Sequence, residues 1–258
     1  MSFSLNNNMS AMNASLNLNM HNTTLEKSLA MIASGSKLDN AANDVSGFSM
    51  SNELDSQASS MGQYMMNLND SVGMVQMADS AMQGIGENTD RMKDLSIRSS
   101  SLIMNSNDRS AIQKEINGLM KSSNDIATNT SFNGIHLLDG SGPSSVGADA
   151  RGSTLFSSPI DVTTQAGALA AFDTIDAGRA KISDIRSTLG ATQNQLVSDI
   201  KNTSVGQINA LSAASQISDV DYASESANFS KNNLMTQIGV FAQSQSNISA
   251  ASVTRLFQ

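Results

Sequence analysis

Cysteine and tryptophan are absent from the 258-residue chain, and only two prolines occur in it. Without cysteine there are no disulfides and no thiolate ligands, which suits a protein that works outside the cell without oxidative folding. Aromatic residues make up only 4% of the sequence. A compact globular enzyme usually builds its core around more large rings, whereas long helices that bury narrow stripes need fewer. Charge is sparse as well, at 15% with a formal net of −8. An acidic chain does not attract phosphate backbones, which argues against a nucleic-acid partner. There is no run of about 18 apolar residues, so no membrane span is expected. The first eight residues, Met1 to Asn8, carry neither the basic region nor the apolar run of a secretory signal peptide. If the protein leaves the cell, a route without such a signal is expected.

Both prolines, Pro143 and Pro159, fall in one window from about 139 to 167 that is also rich in Gly and Ser. The proline-free stretches on either side permit long uninterrupted helices. The window itself reads as turns and short strands linking two helical arms.

The most regular segment is Leu54, Ala58, Met61, Met65, Leu68, Val72 and Val75. Its steps alternate four and three, the a/d seam of a coiled-coil-like helix. The next strict position is Asp79, a poor seam residue, and the apolar stripe steps instead to Ala78, Met82 and Ile85. Two threes in succession are a local phase slip, which a coiled coil absorbs by overwinding. A helix continuing to about Ser101 would be roughly 70 Å long and needs a partner of similar length. Asn107-Asp108 offers an N-cap for a second helix with Ile112, Ile116, Leu119 and Ile126 on one face. Beyond the window, Ile175, Ile182, Ile185, Leu189, Leu196 and Ile200 form another stripe. Sixteen methionines make this packing adaptable. The stripes alone do not separate a helical-bundle core from a polymer.

The two ends are unusual. Residues 1–25 and 232–254 contain no Asp, Glu, Lys or Arg. Apolar side chains are spaced through them: Met9, Met12 and Leu16, then Leu25, Leu29 and Ile32 at the front, and Leu234, Ile238, Phe241 and Ile248 at the back. A solvated helix normally carries charge on its outer face, whereas a neutral one can be surrounded by other helices without burying a charge. The arms therefore read as loose in the monomer, folding against each other and against other subunits. Two tails of low complexity are the alternative.

At this point the chain resembles the bacterial flagellins. The stretch Ser28-Leu29-Ala30-Met31-Ile32-Ala33-Ser34-Gly35-Ser36-Lys37-Leu38 through Asn43-Asp44-Val45-Ser46-Gly47-Phe48-Ser49-Met50-Ser51 is similar to the family's N-terminal signature. So are Asp108-Arg109-Ser110-Ala111-Ile112-Gln113-Lys114-Glu115-Ile116 and Thr130-Ser131-Phe132-Asn133-Gly134-Ile135-His136-Leu137-Leu138-Asp139-Gly140. In the C-terminal half, Ile182 through Leu196, Ile217 through Glu225, and Gln237 through Ser244 follow in the family's order. The matches span nearly everything except about 141–167, so several long motifs keep one order. Departures include the high methionine content and Asn43, where the family often has Asp.

The resemblance implies a mainly α fold: a long antiparallel helical hairpin or coiled-coil rod with paired terminal helices and a small β-hairpin region at the centre. It divides the chain into an N-terminal arm (1–40), N-terminal rod helices and hairpin (41–140), a short central β/turn segment in place of outer domains (141–167), a C-terminal rod helix (168–217) and a C-terminal arm (218–258). Strands are expected around Phe132–Leu138 and Thr154–Val162, with Asn133-Gly134 as a tight turn. The implied function is that of a non-enzymatic subunit that self-assembles into the extracellular flagellar filament for swimming, with a hook–filament junction protein as the alternative. Subunit packing is expected through Leu54, Met61, Met65, Leu68, Val72, Val75, Met82, Ile182, Ile185, Leu189 and Leu196. Implied partners are further copies, other flagellins, the filament cap and hook-associated proteins, and a cytoplasmic chaperone. The chaperone would cover the segment from about Phe229 to Gln258 before type III export. Terminal-arm packing or chaperone binding falls to Leu25, Leu29, Ile32, Leu234, Ile238 and Phe241. The family's innate-receptor motif has its spacing at Arg91, Leu95 and Glu115, among altered neighbours; rod-to-rod contacts between subunits are the competing use.

No catalytic constellation emerges. His21 and His136 lie apart without a partner motif, which favours structural or surface roles over metal ligation. Gly84-Ile85-Gly86 sits inside a helical pattern, and no serine occupies a nucleophile elbow. Neither an active site nor a cofactor is expected.

Overall fold

The computed structural model describes residues 9–143, 146 and 148–256. The stretch read as lacking a signal peptide, the last two residues of the chaperone segment, and Ser144 and Ser145 of the central window lie outside the described residues. Six helices and one strand pair follow in order: α1 Met9–Ser34, α2 Val45–Ser99, α3 Ser106–Asn129, β1 Ser131–Phe132, β2 Ile135–His136, α4 Gly152–Leu155, α5 Gln165–Ser218 and α6 Tyr222–Leu256. The fold is mainly α, with the long helices lying in the two stretches where no proline interrupts them.

Helix α2 keeps the seam read from the sequence. Its buried or half-buried positions run Leu54, Ala58, Met61, Met65, Leu68, Val72, Val75, Ala78, Met82 and Ile85, and continue through Thr89, Met92, Ser96 and Ser99. The phase slip falls at Val75–Ala78, and α2 stops at Ser99, two residues before the expected end. Helix α3 begins earlier than expected. Its cap is Asn105, whose side chain accepts the Asp108 N–H, rather than Asn107-Asp108. An N-cap carbonyl must lie three residues before the amide it serves, and Asn105 has that spacing.

Strands β1 and β2 pair antiparallel, Ser131 with His136 and Phe132 with Ile135. Asn133 (φ 50°) and Gly134 (φ 79°) form the turn. Both central residues take positive φ, as a type I′ hairpin requires. The expected second strand region is not one: among the described residues, 152–155 form α4 and 156–164 are irregular. Side chains, not a β ladder, satisfy much of this backbone. Asn124 accepts the Gly152 N–H (2.8 Å), Lys181 donates to the Thr154 carbonyl (2.8 Å), and Gln113 holds Ile160 and Val162.

The chain forms two compact units, one from residues up to Ser59 and from Gln207 onward, the other from Ser60–Gly206. In the second, α2, α3 and α5 share a core of Val75, Met82, Ile85, Met92, Ile116, Ile175, Ile182 and Leu189, covered by Leu155, Phe156, Ile160 and Val162. In the first, α1 packs along α6. There Ser51 and Ala58 of α2, with Ala210 and Ala214 of α5, are buried. The α1–α2 and α5–α6 connections are stitched together: Lys37 N–H donates to the Ser218 carbonyl (2.8 Å) and Val220 N–H to the Gly35 carbonyl (3.1 Å).

Candidate assembly surface

The residues expected to pack subunit against subunit divide by burial. Leu68, Val75, Met82, Ile182 and Leu189 are buried; Leu54, Met61, Met65, Val72, Ile185 and Leu196 are half-buried. Val75, Met82, Ile182 and Leu189 belong to the core shared by α2, α3 and α5, and Ile185 and Leu196 pack against it. Leu54, Met61, Met65 and Val72 keep part of their surface open.

A series of ion pairs edges that core. Arg91 of α2 pairs with Glu115 of α3 (2.7 Å), Arg186 of α5 with Asp79 of α2 (2.8 Å), and Lys93 and Asp90 of α2 reach Asp176 and Arg179 of α5. Lys93 also lies 5.0 Å from the centroid of the Phe172 ring, a cation–π distance. The receptor-type motif is split by this arrangement. Arg91 and Glu115 are exposed but bound to each other, whereas Leu95 is 3% exposed and belongs to the core. Three residues with the family's spacing do not make one continuous surface, because the helical period that places Leu95 beside Met92 turns it inward.

The terminal arms carry exposed apolar surface of their own. Along α1 the positions turned to α6 are Ala11, Ala14, Leu18, His21, Leu25, Ser28 and Ile32; along α6 they are Glu225, Phe229, Asn232, Thr236, Gly239, Gln243 and Ser246. Both sets alternate steps of three and four, so the arms pair along a heptad seam. The α1 side of the seam is largely apolar, whereas the α6 side is mostly small and polar. Ser28 is 2% exposed, and a Cβ at Gly239 would sit 3.3 Å from the Leu18 side chain, so the backbones approach closely there.

The opposite face is apolar and open. Met9, Met12, Leu16, Met20 and Leu29 of α1 are exposed, as are Leu234, Ile238, Phe241 and Ile248 of α6, with Phe241 at 71%. Leu25 and Ile32 thus face the other arm, while Leu29, Leu234, Ile238 and Phe241 face outward. An exposed apolar stripe along charge-free stretches of helix marks an interaction surface. Hydrophobic periodicity could not find the α6 side of the inner seam, because Asn232, Thr236 and Gln243 give no apolar signal. The same blindness hid Ser96 and Ser99, buried on α2, whose hydroxyls donate to the carbonyls of Ala168 and Val162 (both 2.7 Å).

Among the described residues no group of three or more His, Cys, Asp or Glu could hold a metal ion, and no buried side-chain polar atom lacks a partner. His21 sits half-buried on the arm seam and His136 is exposed on β2.

The chain is similar to known proteins along its length. The model of the bacterial flagellin N-terminal helical region matches residues 5–142, and that of the bacterial flagellin C-terminal helical region matches residues 172–257. The flagellar filament 31.3 kDa core protein of Treponema maltophilum is 27% identical over 98% of this chain and 99% of its own length. A flagellin of Halalkalibacterium halodurans is 28% identical over the same shares. The crystal structure of Bacillus cereus flagellin is similar with a TM-score of 0.49 and 24% identity, over 54% of this chain and 88% of that one.

Proposed function

Because the chain belongs to the bacterial flagellin family, we propose that its two terminal helices join each subunit to the next through the apolar stripes they turn outward. As a flagellin it is a structural subunit of the extracellular flagellar filament, it polymerises with copies of itself, and it is not an enzyme. The observation that carries the finer reading is the two-faced arm pair. A mixed seam, mostly polar on its α6 side, holds α1 to α6, and Leu234, Ile238 and Phe241 remain outside it. Burying one such side chain against a neighbour contributes about 1.5–3 kcal/mol. A contact whose two sides differ then repeats without closing and grows an open helical polymer. The absence of Asp, Glu, Lys and Arg from residues 1–25 and 232–254 lowers the desolvation cost of packing these stretches among identical, negatively charged copies.

The same α6 stripe fits a second, earlier partner. Leu234, Ile238 and Phe241 are spaced as anchors of a helix laid in a groove, which supports a cytoplasmic chaperone over the segment beginning at Phe229. Export by the flagellar type III route without a cleaved signal peptide, and contact with cap and hook-associated proteins at filament ends, belong to the same reading. No observation favours a hook–filament junction protein. Similarity to a filament core protein along nearly the whole of both chains supports the filament.

The experiment is seeded polymerisation of the full chain, followed by negative-stain electron microscopy. Wild-type monomer should extend the seeds into long filaments. A Leu234→Ser, Ile238→Ser, Phe241→Ser variant should keep its monomer helicity and fail to extend them. Normal filaments from the variant would sink the assignment of these three side chains.

A further inference from the structure

The connection between α2 and α3, residues 100–105, presents two aliphatic side chains to solvent: Leu102 is 84% exposed and Ile103 is 94% exposed. Turns usually carry Gly, Pro, Asn, Asp or Ser, each for a backbone or hydrogen-bonding reason. Leucine and isoleucine have no such reason to be here.

Nor is this a loose loop whose side chains are exposed by default. Ser101 N–H donates to the Arg98 carbonyl and Met104 N–H to the Ser101 carbonyl (both 3.3 Å). Arg109 of α3, only 8% exposed, reaches back and donates through Nη2 to the carbonyls of Ser101 (2.8 Å) and Met104 (3.4 Å). Ser99 is fastened to the Val162 carbonyl (2.7 Å), Asn105 caps α3, and Met104 packs against the core. The backbone is tied on both sides of Leu102–Ile103, so the pair is held out in one geometry, and a pre-organised contact loses little freedom when it is made.

We propose that Leu102 and Ile103 form an apolar knuckle buried against a second copy of this chain in the filament. The inference rests on the filament-subunit reading and adds to the arm contacts a separate contact from the other compact unit. Two observations select a copy of the chain over an unrelated partner. Residues 99–107 contain no Asp, Glu, Lys or Arg, the same neutrality as the terminal arms. A chain of net charge −8 meets itself best through uncharged surface, whereas a different partner would ordinarily be steered by complementary charge. Two side chains also cover far less than the roughly 800 Å² per partner of a stable pairwise interface. The knuckle is too small to hold a dimer, but as one contact repeated in every subunit of an open polymer it adds to the others.

The absence of cysteine makes the test direct. Ile103→Cys introduces a single thiol at an exposed position, and its rate of maleimide labelling is measured in monomer and in seeded filaments. Labelling should be at least tenfold slower in filaments than in monomers. A Leu102→Ser, Ile103→Ser variant with unchanged circular dichroism should need a several-fold higher concentration to extend seeds. Equal labelling in both states, protection that appears only when cap or hook-associated proteins are added, or unaltered assembly of the double variant would overturn the proposal. Failure of the wild-type chain to extend seeds would instead strike the filament-subunit reading on which it rests.

Discussion

Asp79 of α2 is held by Arg186 of α5, Nε to Oδ1, at 2.8 Å, next to the point where the apolar seam of α2 changes phase. A strict heptad would have put Asp79 in the seam. The slip to Ala78 leaves the carboxylate at the surface, where a guanidinium on the neighbouring helix can reach it. Both partners remain solvated, so the pair contributes about 1 kcal/mol or less. Asp79→Ala should lower monomer stability in urea by no more than that, and the loss should shrink in 1 M salt. A penalty unaffected by salt would mean that Asp79 holds the seam's phase by packing.

The division between core and arm surface predicts opposite outcomes for two truncations. Met82, fully buried among α2, α3 and α5, should cost about 2–5 kcal/mol on replacement by Ala. Leu234, 60% exposed, should cost within about 0.5 kcal/mol in the monomer while impairing seeded growth. Urea unfolding of both variants at a concentration too low for assembly checks the pair.

Gln113 should be worth more than its half-exposed side chain suggests. Its amide donates to the Ile160 carbonyl (2.9 Å) and its carbonyl accepts the Val162 N–H (2.7 Å), acting as a short substitute for a neighbouring strand. Gln113→Ala leaves both backbone groups without partners, at about 1–3 kcal/mol. Amide exchange at Val162 should accelerate at least tenfold while α1 and α6 exchange as before. An unchanged rate at Val162 would rule the clamp out.

Acid should loosen the central segment first. Asp149 accepts hydrogen bonds from the Arg151 guanidinium, the Thr154 hydroxyl and the Arg151 N–H, which hold its carboxyl well below the usual carboxylate range against the opposing effect of burial. A depressed folded-state pKa gives stability that is complete above the unfolded value, near 3.9, and lost as pH falls below it. The Arg151 and Thr154 amide resonances should therefore hold steady as pH falls through the ordinary carboxylate range near 4 and shift only well below it. In Asp149→Asn they should start displaced and show little change over the same fall in pH. A wild-type transition near neutral pH would contradict the assignment.

The sequence determined by itself whatever depends on near neighbours along the chain. The a/d steps from Leu54 to Ile85, the phase slip at Ala78, the proline-free stretches and the Asn133-Gly134 turn are local, since helical period and backbone dihedrals are set within a few residues. The charge-free arms were equally visible, because composition needs no fold. Tertiary structure alone decided which face of each helix was used. Two heptad seams run along α6, one polar and one apolar, and only pairing with α1 turns Thr236 and Gly239 inward and leaves Ile238 and Phe241 outside. The same holds for Leu95, whose burial depends on what α2 packs against, and for Gln113, whose partners lie more than 45 residues away in sequence. Periodicity states that a helix has a stripe to bury; which surface receives it is settled by the other elements competing for contact.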